Sequence, residues 1–198
     1  SAFLQLLTNA SGRDYQFPAM RFADQNLLGA GVQAALGELG FWLETAYVSG
    51  DEDYFRTSIG VDYAFNENVF GMVEYHYNGA GSNDADAYLA NLDNVAYKAG
   101  GVFLLGENYL IPVISWQVST LLGLSFQTLA NMDDGSLFVS ANADYSLSDN
   151  VYLGMGVQHF AGEDFKVTGP NPLADQLQLG SEYGGNPDSI YVSLRYYF

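Results

Sequence analysis

Apolar and polar residues alternate one by one through most of this chain, in segments of about ten residues separated by turn residues. Successive side chains of a strand point to opposite faces, so a period of two predicts strands with one apolar and one polar face. In the last segment Ile190, Val192, Leu194, Tyr196 and Phe198 share one face, and Ser189, Tyr191, Ser193, Arg195 and Tyr197 share the other. Before it, Val151, Leu153, Met155 and Val157 alternate with Tyr152, Gly154, Gly156 and Gln158. The same alternation marks residues 137–145, 122–127, 109–117, 73–78, 55–65, 41–47 and 28–36. Leu4 and Leu6 oppose Gln5 in a first, poorer segment, which brings the expected count to ten strands.

The connections alternate in length. Short turns fall at residues 37–38, 66–68, 118–119 and 148–150, where Asn, Asp and Gly suit tight backbone geometry. Longer connections span 9–26, 49–53, 79–106, 131–135 and 161–188. In the largest of them Tyr88, Leu89, Leu92, Val95, Ala96 and Ala99 follow helical spacing, which predicts a short helix within 84–99 capped by Ser82 or Asn83. That helix is expected to lie over the strands or fold between them. Pro112 falls inside a strand and predicts a local bulge, because proline lacks a ladder donor.

Composition narrows the class. The chain has 198 residues with 22 Gly, 15 Tyr, 13 Phe and no Cys, and no run approaches the ~18 to 20 apolar residues of a membrane helix. A strand ending on Tyr196, Tyr197 and Phe198 resembles the closing strand of Gram-negative bacterial outer-membrane β-barrels of the porin-like class. The resemblance covers the whole chain at the level of class, through strand alternation and this C-terminal strand, and singles out no family. It implies an all-β, antiparallel transmembrane barrel occupying 1–198 as a single domain, either complete or the C-terminal part of a larger barrel. It also implies short turns in the periplasm, longer loops outside, the C-terminus on the periplasmic side, and Tyr196, Tyr197 and Phe198 read by the barrel-assembly machinery. The expected surroundings are outer-membrane lipid and lipopolysaccharide, and an oligomer or larger assembly is compatible with the class. A secretory signal is expected ahead of Ser1 in a longer precursor.

If the apolar face meets lipid, the polar face lines a lumen. The ionisable residues on it are Glu44, Arg56, Asp62, Glu74, His76, Asp144 and Arg195. The first five lie on three neighbouring strands and are expected to form either a polar filling or a charged constriction. Asp144 and Arg195 are expected to pair across the strand carrying Gly154, whose missing side chain leaves room for the arginine. The acidic loops at 51–53, 84–86, 133–134 and 163–164 and the formal charge of −17 argue against nucleic acid and against polyanionic ligands. Two His on different strands and no Cys give no zinc pattern, and no loop has an ordered calcium motif, so neither metal nor cofactor is expected. His76 matches no motif of omptin-like proteases, and Ser58, which could face it as in a barrel phospholipase, is unremarkable in kind. The resulting expectation is a non-enzymatic channel for small solutes that prefers cations. A non-conducting surface barrel and a sheath around another protein are the alternatives.

Overall fold

A computed structural model describes residues 24–168 and 176–198. Nine strands form one antiparallel sheet: β1 (Gln25–Leu36), β2 (Leu39–Gly50), β3 (Tyr54–Asn66), β4 (Val69–Asn78), β5 (Asn108–Gln117), β6 (Leu122–Asn131), β7 (Leu137–Ser148), β8 (Val151–Ala161) and β11 (Ser189–Tyr196). The strands lie side by side in chain order, so each is held by the one before and the one after. All nine segments that alternate between residue 28 and the C-terminus are strands, most of them longer than the apolar pattern alone marks. The expected strand at Leu4 and Leu6 lies outside the described residues. Among the described residues the sheet is open, with β1 and β11 at its edges. Because neighbours are antiparallel, these two edge strands, first and ninth, point the same way.

Alternation survives pairing because the registers match face to face. Leu122, Tyr145, Leu153 and Leu194 are direct cross-strand partners and form one apolar row. One residue along, Gly123, Asp144, Gly154 and Ser193 form a polar row. A slip by one residue anywhere would exchange the faces, so the pattern specifies register strongly. Two irregularities occur, at Ala64/Asn66 and Ser146/Ser148, each beside a short turn. Pro112 causes no bulge. Its strand keeps register with β6 on both sides, and the ladder simply omits Ile111 and Pro112 between Leu110↔Ala130 and Val113↔Gln127. On its other edge Pro112 still pairs with Val73.

The long connections gather at one end of the sheet. The expected single helix over 84–99 is instead a 3-10 turn (Ala85–Ala87), α1 (Tyr88–Asn91) and α2 (Val95–Lys98). Asp84, rather than Ser82 or Asn83, caps the first turn by accepting from the Asp86 amide at 3.0 Å. Asn94 then restarts the chain in an extended conformation ahead of α2, which splits the apolar spacing into two pieces. A small hairpin of β9 (Lys166–Thr168) and β10 (Gln176–Gln178) lies within the last loop.

The apolar face is exposed along the sheet. Leu28, Val32, Leu36, Ile59, Val61, Ile114, Phe126, Met155, Val157, Val192 and Leu194 are all exposed on the apolar face. The buried apolar residues are few and sit at the loop end, where Val48 and Tyr54 pack with Ala80, Ala96 and Val102. No helix among the described residues is long and apolar enough to cross a membrane.

Candidate functional site

The polar face is organised in cross-strand rows. Gly31, Glu44, Ser58, His76 and Tyr109 are successive partners across β1 to β5. Toward the short turns the next row of this face is Gln33, Trp42, Gly60 and Glu74. Arg56 lies one row nearer the loops, between Ala46 and Asn78, and Asp62 lies nearer the turns, between Gly40 and Met72. The five ionisable residues expected to cluster therefore share a face but stand on four different rows. No ion pair forms among them.

Their contacts are specific nonetheless. The Trp42 indole N–H donates to a Glu74 carboxylate oxygen at 3.0 Å. It reaches that strand by passing over Gly60, where an added Cβ would run into the indole ring. The Asp62 carboxylate lies over Gly40 in the same manner. Ser58 Oγ and His76 Nδ1 are 2.8 Å apart as direct cross-strand neighbours. A serine–histidine contact alone does not make a nucleophile, since catalysis also needs a group that orients the imidazole and donors for a developing oxyanion. No side-chain hydrogen bond to His76 Nε2 is present among the described residues.

Beside Glu44 and Ala46, β1 presents only backbone. Gly29 and Gly31 leave a recess of about 430 Å³, walled by Glu44, Arg56, Ser58 and His76. The central carbon of the Arg56 guanidinium lies 5.6 Å from the centre of the Tyr54 ring, within cation–π range.

Asp144 and Arg195 do pair, as the spacing predicts. Their side chains meet above Gly154, at which an added Cβ would stand 3.2 Å from the Asp144 carboxylate and 3.4 Å from the guanidinium. Both partners are substantially exposed, so the pair contributes modestly to stability. Tyr191 passes over Gly156 and donates to Asn142 at 2.8 Å, a third crossing of this kind. Tyr196 and Phe198 rings are 6.3 Å apart on the apolar side, while Tyr197 meets Tyr152 edge-on at 5.7 Å.

Sequence reasoning missed a knot at the loop end. Glu182 accepts from Tyr109 Oη at 2.6 Å, Asn131 Nδ2 at 2.8 Å and the Leu105 amide at 3.1 Å. Its own amide donates to Asp134 at 2.7 Å. Glu182 thus ties its own connection, through its carboxylate and its amide, to the two at Leu105 and Asp134, which are far apart in sequence. Burial holds the Glu182 carboxyl above its ordinary value of 4.5, and nearby Asp134 acts in the same direction. Tyr88 and Ala96 are fully buried in this cap, and the Ala96 amide donates to Glu52 at 2.7 Å. Only the abundance of Tyr and Asn at strand ends hinted at such a network. His159, on the apolar face, sits 2.9 Å from Asp188 near the same end. Among the described residues no group of three or more His, Cys, Asp or Glu is placed to hold a metal ion. The chain matches no family model, no curated protein and no solved structure.

Proposed function

We propose that this chain is a bacterial outer-membrane β-barrel that passes small solutes along its polar face, with a preference for cations. The observation that carries the reading is the continuous apolar face, exposed on all nine strands while the polar side chains bond to one another on the opposite face. Such a surface is unstable in water and suited to hydrocarbon. Lipid and lipopolysaccharide then surround the barrel, and the short turns lie in the periplasm with the C-terminus. An antiparallel closure needs an even count, because β1 and β11 point the same way. The ten alternating segments of the sequence supply that count.

Cation preference follows from four carboxylates, Glu44, Asp62, Glu74 and Asp144, facing two guanidiniums, Arg56 and Arg195. Low-dielectric walls concentrate the field of this excess along the path. The test is the reversal potential across a planar bilayer under a KCl gradient. The reading expects cation selectivity, greatest in dilute electrolyte because salt screens over ~8 Å at physiological strength. Glu44→Gln combined with Glu74→Gln should reduce it, and anion selectivity of the parent protein would reject the charge argument.

A second reading draws on the loop-end cap. Tyr88, Tyr109, Asn131 and Ser181 are buried there against the polar face, as in a structural barrel with a closed outer end. Absence of any conductance would favour that reading.

A further inference from the structure

We propose that the recess beside Gly29 and Gly31 binds a small zwitterion, a solute carrying one ammonium and one carboxylate group such as an α-amino acid. The inference rests on the reading of the polar face as water-lined, and it names the solute class for that face.

The first observation is an imbalance of pairing. Of the four Lys and Arg residues described, Lys98 pairs with Asp93, Lys166 with Glu163 and Arg195 with Asp144. Arg56 has no carboxylate within ion-pair distance among the described residues. It is half-buried beside the Tyr54 ring, and among the described residues no hydrogen bond from its guanidinium N–H groups is present. A guanidinium has five donors in a fixed fork that fits a carboxylate. Holding it partly desolvated and unpaired is unfavourable until an anion arrives.

The second observation is the position of Glu44. It lies opposite Ser58, two residues along β3 from Arg56, and lines the same recess. Diagonal neighbours of this kind stand ~7 to 8 Å apart on a sheet. That spacing is between backbone positions; the two charged ends are not ion-paired, which leaves room between them for a short solute with opposite charges at its two ends. A simple anion at Arg56 would face the Glu44 charge, and a simple cation at Glu44 would face Arg56. Only a ligand with both charges satisfies both walls. Ser58 and His76 stand beside the gap and add hydrogen-bonding groups. The two glycines leave the floor clear, and ~300 to 1,000 Å³ is the usual range for small-molecule sites.

Trp42 and Trp116 are the two tryptophans of the chain, so Trp116→Phe leaves one reporter two residues from Glu44. This variant, refolded in detergent, is titrated with glycine, glycine methyl ester and N-acetylglycine while Trp42 emission is followed. Glycine should bind about tenfold or more tightly than the ester, which lacks the carboxylate, or the acetyl compound, which lacks the ammonium. Arg56→Gln and Glu44→Gln should each weaken glycine binding by about tenfold, and Arg56→Lys, which retains the charge, should keep the order of preference. Equal affinity for all three compounds, or unchanged glycine binding in Arg56→Gln, would overturn the proposal. Binding is read without conductance. A protein that selects glycine but passes no current therefore contradicts the passage reading alone, whereas a conducting protein that ignores glycine contradicts this one.

Discussion

Trp42 donates to Glu74 across an intervening strand, and it does so only because Gly60 lies between them. Arg195 to Asp144 over Gly154, and Tyr191 to Asn142 over Gly156, repeat the arrangement at the other side of the sheet. In each case a long side chain lies flat on the polar face and ties strands that are not hydrogen-bonded neighbours. The glycines thin the wall at chosen points, and the ties restrain sliding of strands past one another.

Gly60→Ala should therefore cost about 1 to 3 kcal/mol, because the added methyl displaces the indole in a filled site. Gly123→Ala should stay within about 0.5 kcal/mol, since its nearest neighbour outside its own segment is Gln117 Oε1 at 3.5 Å. Urea unfolding in micelles measures both, and Trp42 emission should change in the first variant only. Equal costs would show that the crossing does not constrain the sheet.

Leu124→Arg should impair folding into bilayers by about 2 to 4 kcal/mol if this position lies near the midplane. Ser125→Arg, one residue along on the polar face, should fold at close to the parent level. Leu124 pairs with Trp116 and Ala143, and Ser125 with Ser115 and Asn142, so the two positions belong to opposite faces. Equivalent losses would contradict the assignment of faces.

Phe198 projects fully exposed at the chain end and makes little of the folded contact surface. Phe198→Asp should leave the unfolding midpoint of the refolded protein nearly unchanged, yet lower the amount found in the outer membrane. Normal levels of heat-modifiable protein in the membrane fraction would reject the role of this residue in assembly.

The cap should loosen as pH rises. Burial raises the Glu182 carboxyl above 4.5, so the folded state holds its proton more tightly than the unfolded state does. The associated stability is complete below the ordinary value and is lost as pH climbs through the raised one. Exchange protection of the Leu105 amide, corrected for intrinsic rates, should fall over that interval, and Glu182→Gln should flatten the dependence. A pH-independent parent protein would contradict this.

The strands were legible because a period of two is a local signal, repeated often enough to fix both faces and their register. Asp144 and Arg195 could be matched for a related reason: rows on a sheet can be counted from the turns. Other features depended on particulars that counting does not reach. The helical spacing of Tyr88 to Ala99 was real, but Asn94 breaks it, and the pieces are held by tertiary contacts to Glu52 and Asn131. Pro112 needed no bulge because one edge of its strand could forgo two pairings. The rows of Glu44, Arg56, Asp62 and Glu74 were offset from one another, so the expected cluster resolved into separate contacts. Glu182 escaped notice because its partners come from two other connections and two strand ends far away in sequence.

The central claim is that the apolar face meets lipid and the polar face meets water. The chain has no native cysteine, so single cysteines can be placed at each position from 141 to 146 and the refolded protein examined in bilayers. Labels at Ala141, Ala143 and Tyr145 should be quenched from the lipid phase, and labels at Asn142, Asp144 and Ser146 should react with aqueous reagents. Aqueous access at all six positions, or the opposite alternation, would contradict the account.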